Sequence, residues 1–380
     1  METLSARHVV LGAGAMGAAT AYHLARRGEP VLLLEQFALG HDRGSSHGAA
    51  RIIRHSYADA RYARLMPEAF LAWEGLARDA GEALYARVGG VTFCPVGLEV
   101  VDQIDANLAE MGIEHRRMDG RGLRRAFPAF EVPDETEALF EPDAGMLSAA
   151  RAVEVQVDLA RRIGGDTTRV LADSPVRRID LDADRPTLVT DRHRIVADRL
   201  IVTAGAWTGK LLPSLPIALR PTLQKVFHFR PADAGHSSIG RLPVFIFQGE
   251  GPQNEFYGMP PHGGRGIMVA RHGGPAVDPV AVDRTVDDDD RRVVRQFLAT
   301  CLPGLADAPD RPRGDVPLYR DPRRRVRIVR MAARPDVLVA SPCSGHGFKF
   351  SCLIGRVLAD LSQTGETPLA IEFWRGDAVA

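Results

Sequence analysis

The fold is decided by one stretch near the start of the chain, His8-Val9-Val10-Leu11-Gly12-Ala13-Gly14-Ala15-Met16-Gly17, in which an apolar strand runs directly into a glycine-rich turn. A helical, alanine-rich segment follows from Ala18 to Arg27, and Gly28 ends it. The segment Val31-Leu32-Leu33-Leu34-Glu35 is typical of a second, buried parallel strand that ends in an acidic residue. Together these segments predict a complete βαβ unit.

Each glycine of the turn has a mechanical task in such a unit. Gly12 permits the tight turn, Gly14 lets a pyrophosphate approach the backbone, and Gly17 allows the helix to pack closely on the strand. The first turn of the helix presents unpaired N–H groups and a positive dipole end to phosphate. Glu35 is suited to accept hydrogen bonds from ribose hydroxyls. The unit predicts dinucleotide binding, and its place at the start of the chain favours FAD over NAD.

Length and composition restrict the class of protein. The chain has 380 residues, more than one hydrophobic core usually serves, which favours two interleaved domains. Its 48 basic and 48 acidic residues balance, which argues against a nucleic-acid or anionic-membrane partner. Four scattered cysteines without a C-x-x-C pair argue against a disulfide framework and a zinc site. Because the chain opens on the strand without a signal peptide, and no apolar run has transmembrane length, we expect a cytoplasmic protein.

Beyond the first unit, helical and extended segments follow one another without an internal repeat or a low-complexity linker. Helices are predicted at about Ala60 to Ala80 and, with an amphipathic pattern, at Ala149 to Ile163. A β-rich stretch covers roughly Arg220 to Arg271. Leu200 to Thr203 and Val337 to Ala340 are typical of buried strands, and each leads into a glycine turn and a helix.

This order predicts an α/β fold in two parts. The first part is a doubly wound, Rossmann-like FAD-binding domain assembled from the separated segments 1–90, 145–215 and 317–380. The second part is an inserted, β-sheet-rich α+β substrate domain formed by segments 91–144 and 216–316.

Three further motifs give the sequence a specific likeness. They are Gly44-Ser45-Ser46-His47-Gly48 leading into Arg51-Ile52-Ile53-Arg54-His55, then Glu141-Pro142-Asp143-Ala144-Gly145, and Ser344-Gly345-His346-Gly347-Phe348-Lys349-Phe350 near the end. In their order and spacing, and over essentially the whole chain, they resemble the family of monomeric sarcosine oxidase and N-methyltryptophan oxidase. The resemblance implies the fold of D-amino acid and glycine oxidases. It also implies two-electron oxidation of a carbon–nitrogen bond by FAD, followed by hydrolysis of the imine.

The resemblance also assigns roles to individual residues. Arg54 and Lys349 match the positions that hold the substrate carboxylate, for which a planar guanidinium fork and an ammonium charge are suited. Arg51 matches an arginine close to the flavin ring, and His346 a histidine beside flavin and substrate. Tyr257 and His272 match positions that line the substrate pocket. The cofactor contacts that the resemblance implies are Gly12, Ala13, Gly14, Ala15, Met16, Gly17, Glu35, Gln36, Ser45, His47, Arg51, Ile52, Val176, Gly205, Gly345, His346, Gly347, Phe348 and Lys349.

The chain departs from the family pattern at two places. Members commonly tether the flavin through a cysteine in a Cys-x-Tyr segment, and the matching stretch here is Pro317-Leu318-Tyr319. We therefore expect non-covalent FAD, unless His47 or Cys343 provides another anchor. The family's oxidases also place a lysine near the flavin to favour the reaction with oxygen, and that position falls on Met268, which carries no charge. If this segment is a strand, His272 lies on the face of Met268 and can supply some charge.

The leading hypothesis is an FAD enzyme, without a metal, that oxidises a secondary or N-methylated amine bearing a carboxylate, with oxygen as the acceptor. A first alternative is a dehydrogenase with the same amine half-reaction and an acceptor other than oxygen. A second alternative is a flavin-binding tailoring protein that keeps the fold without amine oxidation.

Overall fold

The computed structural model describes residues 1–215, 217, 219–231, 235, 238–320 and 326–375, apart from the side chains of 252 and 313–320. The strands are β1 (Glu2–Leu11), β2 (Val31–Leu34), β3 (Ala50–Ile53), β4 (Tyr85–Arg87), β5 (Gly90–Cys94), β6 (Arg116–Asp119), β7 (Glu137–Glu141), β8 (Gly145–Ser148), β9 (Thr168–Leu171), β10 (Val176–Asp180), β11 (Thr187–Thr190), β12 (His193–Val202), β13 (Arg220–Phe229), β14 (Val244–Gln248), β15 (Glu255–Met259), β16 (Ile267–Arg271), β17 (Asp310–Arg320), β18 (Arg327–Met331) and β19 (Arg334–Ser341). The α-helices are α1 (Ala15–Ala25), α2 (Ala60–Ala80), α3 (Val100–Glu110), α4 (Gly120–Ala126), α5 (Ala149–Gly164), α6 (Thr208–Leu211), α7 (Asp288–Cys301) and α8 (Ser351–Gln363).

The first sheet contains the predicted βαβ unit at its centre. β1 lies between β2 and β12 and runs parallel to both. β9 extends the parallel order beyond β2, and β19 pairs in parallel with the end of β12. β10, β11 and β18 add antiparallel strands at the margins. All four residues of β2 are buried, as expected for a parallel strand that is covered on both faces.

Helices α1, α5 and α8 pack together on one face of this sheet, and α2 packs against α5 and α8. Alternate strand residues divide between the two faces: Val10 and Leu33 join the core under these helices, whereas Val9 and Leu32 face the opposite side. Asp59 caps the N-terminus of α2, and its side chain accepts a hydrogen bond from the backbone N–H of Arg61. The predicted helices at 60–80 and 149–163 are confirmed by α2 and α5.

The second sheet is larger and mostly antiparallel, in the order β17-β13-β16-β15-β14-β5-β7-β6. It draws β5 to β7 from the first half of the chain and β13 to β17 from the second half. β17 continues in this sheet to Arg320, so the strand crosses the boundary at 317 set by the sequence analysis. The reason is its pairing with β13, which runs without a break in the ladder from Arg220 opposite Arg320 to Leu223 opposite Pro317.

A small third sheet, β3-β8-β4, carries the segment that leads to Arg54. The mixed α/β architecture is confirmed: helices cover a central parallel sheet, and a β-rich part packs at its side. No helix in the described part of the chain combines the length and the apolar content needed to cross a membrane.

Candidate active site

A cavity of about 1040 Å³ is lined by residues of both the first and the second sheet. It is lined by residues just beyond the carboxyl ends of the parallel strands β1, β2, β12 and β19, namely Gly12, Glu35, Thr203 and the segment 343–349. Ligands of open α/β sheets bind at this carboxyl edge of the strands. The volume lies at the upper end of the range of about 300–1,000 Å³ that is common for small-molecule pockets, which is compatible with a dinucleotide and a substrate bound together.

At one end of the cavity the backbone itself forms the binding surface. Gly12 has a φ of +101°, and a Cβ on it would lie 2.7 Å from the carbonyl oxygen of Thr203. A Cβ on Gly17 would strike the carbonyl oxygen of Gly12 and lie 2.6 Å from the Thr203 hydroxyl. Gly14, the N-cap residue of α1, has no side chain that could cap the helix. The N-terminus of α1 lines the cavity and directs the positive end of the helix dipole toward it, as anion binding requires.

Two side chains hold this turn in place. The buried Glu35 carboxylate accepts hydrogen bonds from the backbone N–H of Ala13 (2.9 Å) and of Phe37 (3.1 Å). The Ser46 hydroxyl accepts one from the N–H of Ala15 (2.9 Å). Glu35 thus fixes the glycine turn in addition to lining the cavity, where it can meet a ribose.

At the other end, two basic side chains meet at one tyrosine ring. The Arg54 guanidinium carbon lies 4.7 Å and the Lys349 Nζ 5.4 Å from the centre of the Tyr57 ring. Lys349 Nζ donates hydrogen bonds to the Tyr57 hydroxyl (3.1 Å) and to the carbonyl oxygen of His346 (3.1 Å). The Tyr57 hydroxyl also lies 3.1 Å from Nδ1 of His346. We refer to Arg54, Tyr57, His346 and Lys349 as the basic cluster.

Within the described part of the chain, neither Arg54 nor Lys349 forms an ion pair with a carboxylate. Among the described residues, Nε and Nη1 of Arg54 are buried and have no hydrogen-bond partner. Burial, and after it the neighbouring Arg54, holds the pKa of Lys349 well below that of an ordinary lysine. Burial also lowers the pKa of Arg54 and raises that of Tyr57. A cluster of this kind is suited to bind an anionic ligand.

A buried carboxylate fixes the backbone between the two first members of the cluster. Glu141, which has no exposed surface, accepts hydrogen bonds from the backbone N–H groups of His55 and Ser56 and from both of their side chains, at 2.7–3.0 Å. Burial would raise the pKa of Glu141, but these hydrogen bonds outweigh it and keep the pKa below its ordinary value. Because residues 55 and 56 separate Arg54 from Tyr57, the contacts of Glu141 set the positions of both.

Arg51 organises the loop beside the cavity. Its guanidinium donates to the carbonyl oxygens of Ala50 (2.7 Å), Ser45 (3.0 Å) and His47 (2.9 Å). It also lies over the Phe348 ring at 5.8 Å. The resemblance assigns Arg51 to the flavin; its position on the cavity wall is compatible with that role, and its donors also hold the 45–51 loop in shape.

The second sheet forms the opposite wall of the cavity. β16 is a strand, as the prediction for Met268 assumed, and both Met268 and His272 line the cavity. Met268 is paired across strands with Met259 on one side and with His228 on the other. Tyr257 lies on β15, its ring centre 6.4 Å from that of His272.

The structure brings the predicted site residues together at this cavity. Of the predicted cofactor, substrate and catalytic residues, all but Gly17 line it, and Gly17 instead packs against the turn, as its predicted packing task requires. Gly345 has a φ of +83°, and a Cβ there would strike the His272 ring. Lys349 is only 6% exposed, so it is a buried lysine that faces the cavity and not a surface residue on a turn.

The sequence analysis missed Tyr57, which contacts the other three members of the basic cluster. Its partners His346 and Lys349 lie 289 and 292 residues away along the chain, so no local pattern indicates the contact. The sequence analysis also missed His228. Its position opposite Met268 on the neighbouring strand follows only from the register of the sheet.

The possible covalent anchors differ in what the structure describes of them. The side chains of Pro317, Leu318 and Tyr319 lie outside the described residues, although their backbone belongs to β17. Cys343 and His47 line the cavity. Burial raises the pKa of the Cys343 thiol to about 12, so the thiol is protonated and a weak nucleophile at neutral pH.

Known proteins resemble this chain over nearly its whole length. Residues 7–361 match the family described as DAO, FAD dependent oxidoreductase. The chain is 32% identical over 367 residues to monomeric sarcosine oxidase from Bacillus sp. (strain NS-129), covering 94% of this chain and 93% of the relative. It is 29% identical over 368 residues to N-methyl-L-tryptophan oxidase from Yersinia pestis (strain Pestoides F), covering 96% of each. Among solved structures, NikD, an unusual amino acid oxidase essential for nikkomycin biosynthesis, superposes with a TM-score of 0.85 at 24% identity, covering 100% of this chain and 99% of NikD.

Proposed function

The chain belongs to the DAO family of FAD-dependent oxidoreductases, and from this premise we propose that it oxidises the carbon–nitrogen bond of a secondary or N-methylated amine that carries a carboxylate. The observation that carries the proposal is the basic cluster, in which Arg54 and Lys349 lie at one tyrosine ring and, among the described residues, neither forms an ion pair. An amino-acid carboxylate would supply the missing negative charge, and it would offer two oxygens to the guanidinium fork.

The residues present fit the cofactor of the family. The glycine turn would hold the pyrophosphate at the N-terminus of α1, Glu35 the ribose, and Arg51 and the segment 344–349 the flavin end. When bound, FAD accepts the two electrons of amine oxidation. The protein's part is to orient the substrate through Arg54 and Lys349 and to close the other side with Tyr257, Met259 and Met268.

We propose that FAD is held without a covalent bond. Pro317 stands where relatives of this kind carry the tethering cysteine, and the raised pKa of Cys343 keeps that thiol protonated. Acid or heat precipitation of the purified yellow protein should therefore release the flavin into the supernatant. Flavin that remains with the precipitated polypeptide would identify an attachment site, with His47 as the first position to inspect.

A second candidate function differs only in the electron acceptor. Met268 provides no charge at the position where the resemblance expects a lysine, and this favours a dehydrogenase that reacts slowly with oxygen. Hydrogen peroxide formation, measured beside dye reduction with the same amine, separates the two functions.

An anaerobic screen of N-alkyl amino acids for bleaching of the bound flavin tests the proposal as a whole. We expect bleaching by at least one N-methyl amino acid. If no amine bleaches the flavin, the protein retains the fold and the cofactor without amine oxidation, as in the flavin-binding tailoring alternative.

A further inference from the structure

We infer that Lys349 stands as a neutral amine in the substrate-free site and accepts the proton that a substrate ammonium must lose before its carbon–nitrogen bond is oxidised. This inference rests on the proposed function, because it needs a substrate with both an amine and a carboxylate. It assigns to Lys349 a task beyond holding the carboxylate.

The contacts of Lys349 are those of an amine rather than of an ion pair. Its two hydrogen-bond partners are the Tyr57 hydroxyl and the carbonyl oxygen of His346, and both are neutral. Only 6% of the residue is exposed, so water contributes little to solvation of a charge. Within the part of the chain that the structure describes, no carboxylate forms an ion pair with Lys349. A buried ammonium without a counter-ion is costly, and a lysine relieves the cost by losing its proton.

The charged group that acts on Lys349 is another cation, Arg54. Arg54 and Lys349 share the Tyr57 ring at 4.7 Å and 5.4 Å, and two positive charges in one buried site repel each other. Burial lowers the pKa of both groups, but a guanidinium begins roughly two units or more above an ammonium and keeps its proton. Lysine is therefore the member of the pair that becomes neutral.

The other titratable groups around Nζ do not change this balance. The raised pKa of Tyr57 keeps its phenol protonated, so the hydroxyl that accepts from Lys349 can donate to Nδ1 of His346. The ring of Tyr62 lies against that of His346, with 4.8 Å between the ring centres. Glu141 lies behind Arg54 and is already bonded to His55 and Ser56.

The step is a single proton transfer. An amino acid enters as a zwitterion, with a protonated amine and an ionised carboxylate. The N–H bond of its ammonium breaks, an N–H bond forms on Lys349 Nζ, and the electron pair of the substrate nitrogen becomes free for oxidation. Lys349 then carries the positive charge that pairs with the carboxylate beside Arg54. No proton is exchanged with the solvent, and no charge is created or lost in the complex.

Two ligands of nearly the same shape test the transfer without turnover. α-Aminoisobutyrate carries an ammonium and a carboxylate but has no α-hydrogen, so its α-carbon cannot be oxidised to an imine. Pivalate replaces that ammonium with a methyl group and has no proton to give. Calorimetric titration of the flavin-loaded enzyme in buffers of different ionisation enthalpy gives the number of protons that each ligand takes from the buffer.

We expect pivalate to take up about one proton per site at about pH 8, because Lys349 must become charged to pair with the carboxylate. We expect α-aminoisobutyrate to take up none, because its own proton charges Lys349. Binding of pivalate without uptake would show that Lys349 is already charged and would overturn the inference, while leaving the proposed function standing. Proton release on binding of α-aminoisobutyrate would also overturn it, because the proton would then pass to solvent. If neither ligand binds, carboxylate recognition fails, and the proposed function and the inference fall together.

Substitutions of two lysines identify the residue that takes up the proton when pivalate binds. In Lys349→Met the uptake with pivalate should disappear, and uptake that persists would point to His346 and contradict the inference. Lys225→Met is the matched control, because Lys225 lies outside the cavity and its ammonium bonds Asp290. That variant should keep the wild-type uptake. The comparison of the two ligands on the wild type needs no variant, so it decides the question even if Lys349→Met does not fold.

Discussion

The two ends of the cavity are built from different parts of the polypeptide. At the nucleotide end, backbone groups form the surface, and side chains such as Glu35 and Ser46 serve to fix that backbone. At the substrate end, side chains form the surface, and a buried carboxylate, Glu141, fixes the segment that carries them. Changes at the nucleotide end should therefore disturb folding and cofactor binding together, whereas changes in the basic cluster should disturb recognition alone.

The largest effect is expected at Gly17. In Gly17→Ala the new methyl group would strike the carbonyl oxygen of Gly12, which is backbone and cannot turn away. We expect the purified variant to contain little or no FAD and to unfold at a lower temperature, as flavin absorbance and thermal unfolding would report. Gly75→Ala is the control: it lies inside α2 with its nearest neighbour atom at 3.9 Å, and alanine favours a helix by up to about 1 kcal/mol over glycine. Equal FAD content in the two variants would contradict the backbone account of this end.

A smaller but selective effect is expected at Arg54. A charge-assisted contact contributes about 1.5–3 kcal/mol, so Arg54→Ala should weaken binding of an acidic substrate roughly tenfold to a hundredfold. FAD content should be retained, and stability should not fall, because the removal of a buried guanidinium with two unpartnered nitrogens relieves a cost. Lys349→Ala should weaken substrate binding in the same way.

The control for Arg54 is Arg64→Ala, which breaks an exposed ion pair between Arg64 on α2 and Glu110 on α3 and should leave the kinetics unchanged. Steady-state kinetics on the amino acid, measured beside thermal unfolding, provide the test. A loss of stability at Arg54 that matches the loss of affinity would mean that the two ends of the cavity do not differ as proposed.

The smallest effect is expected at Met268, where a substitution should affect only the reaction with oxygen. A lysine there would place a positive charge where superoxide develops, so Met268→Lys should speed reoxidation of the reduced enzyme by about tenfold. Anaerobic flavin reduction should change much less. Met259→Lys places the same charge on the neighbouring strand and should have a weaker effect. Stopped-flow mixing of the reduced enzyme with oxygenated buffer measures the reoxidation rate of both variants. Fast reoxidation of the wild type that neither lysine increases would show that His272 or Arg51 already supplies the charge that promotes the reaction with oxygen.

The same division explains what the sequence could predict. The nucleotide end follows from residues 8–35, because a turn, a helix start and a strand end are decided by neighbours in the chain. The basic cluster depends on contacts between residues 57 and 349, and the Glu141 contacts join segments 86 residues apart. The resemblance indicated Arg54 and Lys349 one by one, but the tyrosine between them, the burial of the lysine and the carboxylate behind them require the folded structure.

The central claim is that the basic cluster selects an amine by its carboxylate. The most direct test compares, without oxygen, flavin bleaching by an N-methyl amino acid with bleaching by the amine that its decarboxylation would give. We predict that the amino acid acts at a concentration roughly ten to a hundred times lower, and that Arg54→Ala removes most of this difference. Equal bleaching by the two compounds in the wild type would contradict the claim and would indicate a substrate without a carboxylate.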